Sequence, residues 1–380
     1  MKKICIGLLS LISFFSWAQV STIKVNPTET FASSNGVVYA LPKVSFKIDV
    51  WVTKTDYIKG PYHNYASKLL GVEDVISNNY VTYAIKDLKI SSEFTPDSDQ
   101  LYFLNLGEIS GKTTNIKLLQ MNEEGIFGGI IARETTEDIK VKDRLVEEIR
   151  TGNRDFRYFA DANLIEKVDT IIRRVDIDTS TIEKAILKRY SIEKDLNQRA
   201  QDAATLLMEI RKNRLELISG FQEVAYEAGA LSLMNQELKL MENDYLSLFI
   251  GKKLVTDEHY VFYFTPLADQ PNIISPVFKF SENIGIEPLT GSAGEKVSVA
   301  IKSHGLADNM VNMNVNGNIP GIVYRFPESA EVWLKYDTQE FDRQLMTIPQ
   351  LGKLQKLQLD NNIFELHPTT GGLKLLEVRR

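Results

Sequence analysis

The chain has 380 residues, 43% hydrophobic and 25% charged, with 22 Gly, 12 Pro and a net charge of −6. This is globular composition, and it excludes collagen-like repeats, extended disorder and coiled-coil fibres. The acidic balance disfavours nucleic acid and anionic lipid as partners, and the length suggests about two or three domains at ~100–200 residues each.

Met1-Lys2-Lys3 precedes an almost wholly apolar run from Ile4 to Phe15, then Ser16-Trp17-Ala18-Gln19. A basic start, a short apolar core and small residues (Ser16, Ala18) before a cleavage point describe a secretory signal peptide over residues 1–18. The run is shorter than the roughly 20 residues of a membrane span. The single cysteine, Cys5, lies inside it. The expected mature chain therefore has no thiol for a disulfide, a metal or a nucleophile. No later stretch has 18 uncharged apolar residues, so no transmembrane segment is expected in the mature chain.

Residues 43–53 alternate, with Val44, Phe46, Ile48, Val50 and Val52 on one side and Lys43, Ser45, Lys47, Asp49 and Thr53 on the other. That is the period of a half-buried strand. Trp51 interrupts the polar side, either packed under a loop or as part of a contact surface. Gly60-Pro61 opens a short helix at 62–70, closed by Gly71. Strand-like runs follow at 80–90, 100–106, 114–120, 126–132 and 169–178, while 134–163 gives no firm pattern. Apolar steps of three and four mark helices at 191–218 and 230–250, expected to form an antiparallel helical hairpin. Strand periods return at 259–265, 277–280, 296–302, 321–326, 331–336, 353–359 and 363–367.

Catalytic templates fail one after another. The histidines His63, His259, His304 and His367 lie too far apart in sequence for an HExxH pair. Gly291-Ser292-Ala293-Gly294 has the wrong spacing for a nucleophile elbow and reads as a turn. Gly294-Glu295-Lys296 lacks the rest of a phosphate loop, and no dinucleotide fingerprint occurs. The acid pairs Asp97/Asp99, Glu123/Glu124, Glu147/Glu148 and Asp176/Asp178 read as solvated loop carboxylates. The run from Asn312 to Gly317 imitates the start of a calcium loop, but its ligands are neutral and Val323 stands where the bidentate Glu belongs. Asn316-Gly317 is a better turn. No catalytic, cofactor-binding or metal-binding residue is assigned, and no cofactor is expected. Tyr39, Trp51, Tyr57, Tyr62, Tyr65, Tyr80 and Tyr83 crowd the first part of the chain, as sheet residues or as a surface for a sugar or a protein.

Several segments carry a resemblance. They are Tyr39-Ala40-Leu41-Pro42-Lys43; Gly60-Pro61-Tyr62 with Tyr65-Ala66 and Leu69-Leu70-Gly71; Ile210-Arg211 with Arg214; and Glu242 with the run from Tyr245 to Lys252. Toward the end come the run from Gly321 to Pro327, Pro349-Gln350-Leu351-Gly352 and Pro368-Thr369-Thr370-Gly371-Gly372. In this order they resemble an exported Bacteroidota family catalogued as domain of unknown function 4831, with Leu351 standing where an aromatic is expected. The resemblance implies a periplasmic envelope protein, with a peripheral place at the outer membrane as an option, and brings no catalytic residues.

The expected fold is α+β, mainly β, with two sandwich-like β-rich regions separated by a long antiparallel helical hairpin. The expected division is a signal peptide at 1–18, an N-terminal β-rich domain at 19–178, the hairpin at 179–253 and a C-terminal β-rich domain at 254–380. The expected function is a non-enzymatic binding or scaffold component contacting another envelope protein or complex. The alternative is a glycan-binding or glycan-cleaving periplasmic protein.

Overall fold

The alternation read at residues 43–53 is the centre of a 23-residue strand, in a computed structural model that describes residues 21–26, 36–105, 118–121, 126–131, 150–151, 155–156, 163–177, 180–220, 227–358 and 363–377. The signal-peptide expectation at 1–18 falls outside these residues, as do Glu123/Glu124 and Glu147/Glu148.

In chain order the strands are β1 (Ser21–Lys24), β2 (Gly36–Ile58), β3 (Tyr80–Asn105), β4 (Leu118–Met121), β5 (Phe127–Ile131), β6 (Arg150–Thr151), β7 (Leu164–Ile177), β8 (Ser180–Glu193), β9 (Lys252–Phe264), β10 (Asn272–Ser281), β11 (Gly285–Glu287), β12 (Glu295–Ser303), β13 (Asn318–Pro320), β14 (Ile322–Tyr336), β15 (Gln339–Leu357), β16 (Ile363–Leu366) and β17 (Leu373–Glu377). The helices are α1 (Ala66–Leu70), α2 (Leu196–Ser219) and α3 (Ala228–Ile250). Sheet A runs β13-β1-β3-β2-β9-β6 and sheet B runs β11-β10-β12-β14-β15. A four-stranded sheet β17-β16-β5-β4 and an isolated ribbon β7-β8 complete the set.

Sheets A and B face each other. Val44, Phe46, Ile48, Val50 and Val52 of β2 meet Phe278, Phe280, Val297, Val299, Val332, Leu334 and Ile348, and all are buried. Burial of apolar surface at about 25 cal/mol per Å² drives this contact. A second core gathers Tyr39, Tyr102, Ile319, Ile322, Val323, Leu354 and Phe364. Buried polar groups there are satisfied: Thr22 Oγ1 donates to the Gly321 carbonyl at 2.6 Å, and the Tyr39 hydroxyl donates to the Val323 carbonyl at 3.0 Å. Arg325 donates to the Pro42 carbonyl at 3.0 Å and to Asp97 Oδ2 at 3.2 Å.

The expected architecture of two sandwich-like regions divided by a long helical hairpin is overturned. The protein is mostly β, and its antiparallel sheets take strands from both sides of the helices: β2 with β9, β1 with β13, and β5 with β16. The reason is coverage. Periodicity shows which residues form strands, but the long apolar face of β2 is buried against strands that follow the helices in sequence.

The helical segment also starts later than expected. Residues 180–193 form β8, which pairs with β7 along its whole length. Asp195 then caps α2 through a capping box with Gln198 (2.8 Å and 3.0 Å). Helices α2 and α3 do not act as a spacer. They share a core with Tyr62, from the loop after β2, and Ala66, the first residue of α1. The Tyr62 N–H donates to the Leu248 carbonyl at 2.9 Å. Gly60 permits this approach, because a Cβ there would lie 2.3 Å from that oxygen. Arg211 and Arg214 both grip Glu242, at 2.9 Å and 2.7 Å.

Candidate functional site

With alternate residues of β2 committed to the core, Lys47, Asp49, Trp51, Thr53 and Tyr57 stand on the opposite face of sheet A. Ladder register sets their neighbours. Trp51 lies between His259 of β9 and Asp87 of β3, and Asp49 lies between Val261 and Lys89. Tyr57 lies between Lys253 and Tyr80. From residue 47 to 57 this strip extends roughly 34 Å at 3.4 Å per residue.

Its centre is a stack. The Trp51 and His259 rings lie 4.7 Å apart at 24°, and Lys89 Nζ sits 5.2 Å from the Trp51 ring, a cation–π distance. His259 Nε2 donates to Asp49 Oδ1 at 2.8 Å, and Lys47 Nζ lies 3.5 Å from the same oxygen. The carboxylate thus fixes one ring nitrogen of His259 and the plane of the ring. Lys89 also pairs with Asp87 at 3.2 Å.

The strip continues along the strands. Thr53 donates to Asp257 Oδ1 at 2.7 Å, and Lys86 bonds the other oxygen. The bond from Lys86 first, then that from Thr53, holds the Asp257 carboxyl below its usual range. Beyond it Tyr57 and Tyr80 stack at 4.3 Å and 9°, with Lys253 Nζ 5.3 Å from the Tyr57 ring. At the other end Tyr263, 61% exposed, sits opposite Lys47.

Chemically this face is a network of stacked rings and ion pairs. The His259–Asp49 pair has the form of an oriented base. However, the nearest hydroxyl on that side of β2, Thr53, gives its proton to Asp257, and the imidazole lies flat on Trp51. Its groups are arranged for stacking and ion pairing.

Of the seven aromatics singled out in the sequence, the structure brings only Trp51, Tyr57 and Tyr80 onto this face. Tyr39 and Tyr62 are buried, while Tyr65 and Tyr83 pack against cores. The other histidines serve locally. His63 Nδ1 meets the Gly60 carbonyl at 2.9 Å, the His304 N–H donates to the Ser329 carbonyl at 3.0 Å, and His367 Nδ1 meets Thr369 Oγ1 at 2.8 Å. Asp97, read as a solvated acid, is buried against Arg325. Asn312 accepts from the Leu354 N–H at 2.9 Å and Asn314 from the Asn316 N–H at 3.1 Å, so these two side chains of the calcium-like run are engaged with backbone N–H groups. Among the described residues no three His, Cys, Asp or Glu side chains are grouped to hold a metal, and no helix is long and apolar enough to cross a membrane.

Sequence reasoning missed His259, Asp49 and Lys89 as a group. The available signal was Trp51 itself, a large aromatic on the polar side of an alternating strand.

A family model described as "Domain of unknown function (DUF4831)" matches residues 35–371. No curated protein and no solved structure matches the chain.

Proposed function

The chain belongs to the DUF4831 family, and we propose that it is a non-enzymatic, exported binding component of the bacterial envelope that contacts another envelope protein through the Trp51 face of sheet A. The observation that carries this reading is Trp51, half-buried, stacked on His259 and flanked by Lys89 on the face of sheet A opposite its core. Aromatic residues and charge pairs held rigid on a flat surface are what protein interfaces use as anchors, because little side-chain freedom is lost on contact. The periplasm fits the reading, since the amino-terminal 18 residues have the form of a cleavable signal.

The test is purification from native membranes in mild detergent, comparing wild type with Trp51→Ala and Lys89→Glu. A protein retained by wild type and lost by both variants, at unchanged melting temperature, supports the reading. Identical partner sets for all three, or a strictly monomeric species with no co-purifying protein, overturn it. The flat Trp51 plate beside the Asp49 and Asp87 carboxylates also suits a sugar ring. A glycan bound by wild type and lost in Trp51→Ala would transfer the same face to that second reading.

A further inference from the structure

The outward face of sheet B carries a separate feature. Phe278, Phe280, Val297, Val299 and Leu334 point into the core, so alternation turns Lys279, Lys296, Ser298 and Lys335 the other way. Register then packs the cations together. Lys279 is the direct cross-strand partner of Lys296, and Lys335 is the partner of Ser298, two residues further along β12. Like charges directly opposite each other destabilise a sheet, and a diagonal neighbour at about 7–8 Å adds a third.

A carboxylate does stand opposite Lys279 on β11, but this Glu287 accepts the Ala293 N–H at 3.2 Å and forms no ion pair with the lysine. Among the described residues none of the three lysines is in an ion pair. On its other side Lys335 faces Glu340, but Arg343 holds that carboxylate at 2.8 Å while lying 4.3 Å from the Trp333 ring. Lys279 Nζ donates to the Gly291 carbonyl at 2.6 Å, which fixes the ammonium beside the cleft with two donors to spare.

These residues line an open cleft of about 530 Å³, with Ile274, Gly294, Glu295 and Asp337 completing its wall. Both acids belong to the wall beside the lysines, and burial first, then the charges of Glu282, Glu295 and Asp337, raises the pKa of the Tyr336 hydroxyl. Ile274 is 61% exposed and supplies an apolar side. The volume exceeds that of a bare tetrahedral anion, so the cleft suits an anion attached to an organic body.

We propose that this cleft binds a phosphate monoester carried on a small polar body, with Lys279, Lys296 and Lys335 holding the dianion. Ammonium–oxyanion hydrogen bonds are strong, charge-assisted contacts, and a doubly negative group relieves the mutual repulsion of the lysines. The site is independent of the Trp51 face.

Calorimetric titration of the purified protein tests it, using glucose 1-phosphate, glucose, inorganic phosphate, and vesicles of phosphatidic acid or of phosphatidylcholine. Glucose 1-phosphate is expected to bind saturably and glucose not at all, with affinity rising from pH 5 to pH 7 as the second phosphate proton leaves near pH 6. Lys296→Gln and Lys335→Gln should each weaken binding about tenfold or more, as loss of a charged hydrogen bond does. Without ligand, Lys296→Gln should melt at or above the wild-type temperature, because it removes a repulsion; a lysine with a structural role would lower it. Binding to phosphatidic acid vesicles and not to glucose 1-phosphate would assign the same oxyanion chemistry to a lipid headgroup. Equal binding of glucose and its phosphate, no saturable binding of any probe, or wild-type affinity in both lysine variants overturns the proposal.

Discussion

Gln350 completes the hydrogen bonding of Val44. Its Nε2 donates to the Val44 carbonyl at 2.7 Å, and its Oε1 accepts the Val44 N–H at 3.0 Å. Strand β9 accompanies β2 only as far as the Phe46–Phe264 pair. The chain then turns away at Pro266, whose carbonyl also accepts from Gln350 at 3.3 Å. A side-chain amide therefore supplies the next rung of the ladder. Gln350→Leu should cost about 2–6 kcal/mol, because it strands two buried backbone groups at about 1–3 kcal/mol each. Urea unfolding should show a lower midpoint with an unchanged slope; an unchanged midpoint would refute this role.

The Arg325–Asp97 pair sits at the junction of β2, β3 and β14, with both side chains at or below 10% exposure. Arg325→Met alone leaves a buried carboxylate unpaired, and such losses run to about 3–5 kcal/mol. Adding Asp97→Leu removes that charge and should recover a large part of the loss. A double-mutant cycle by denaturant unfolding measures it, and additive losses would rule out the coupling.

Acid should loosen the contact between α2 and α3. Burial works against ionising Glu242, but the hydrogen bonds from Arg211 and Arg214, with their charges, outweigh it and hold the carboxyl below its ordinary value of 4.5. A carboxyl depressed on folding contributes stability that is fully present above about pH 4.5 and is lost as pH falls through the folded value. Glu242→Gln should be less stable at pH 7 and show a flatter decline below pH 4.5. Parallel curves for the two proteins would remove Glu242 as a contributor.

The β7–β8 ribbon should be dispensable for folding. It pairs only within itself, exposes Ile172 at 60% and Leu187 at 61%, and closes at its base with the Lys194 N–H donating to the Asn163 carbonyl at 2.8 Å. A two-stranded ribbon is marginal alone. Replacing residues 164–193 with two glycines should leave the melting temperature within about 2 °C of wild type, since few contacts with the sheets are lost. A fall of ten degrees or more would show that the ribbon supports the body.

What could be read in advance depended on how local the cause was. The core of β2 was plain from five alternating apolar residues, and the end of α1 from Gly71, which adopts φ 69°. The continuity of β3 was hidden. Pro96 faces Pro42 beside a register shift, and prolines that look like breaks are tolerated where a ladder bulges. Pro327 hides the continuity of β14 in the same way, at the shift between Phe326 and Glu328. Trp51 was visible as an anomaly, but His259 could not be joined to it, because only the pairing of β2 with β9 makes them neighbours.

That pairing, with β1 held between β3 and β13, sets a schedule for folding. Thr22 is opposite Ile319, so the earliest described strand has no complete set of neighbours until most of the chain has left the ribosome. Contacts this distant make folding slow, since loop closure must be achieved before they contribute. Until then the apolar face of β2 stays open, and the chain must be kept from aggregating while it waits.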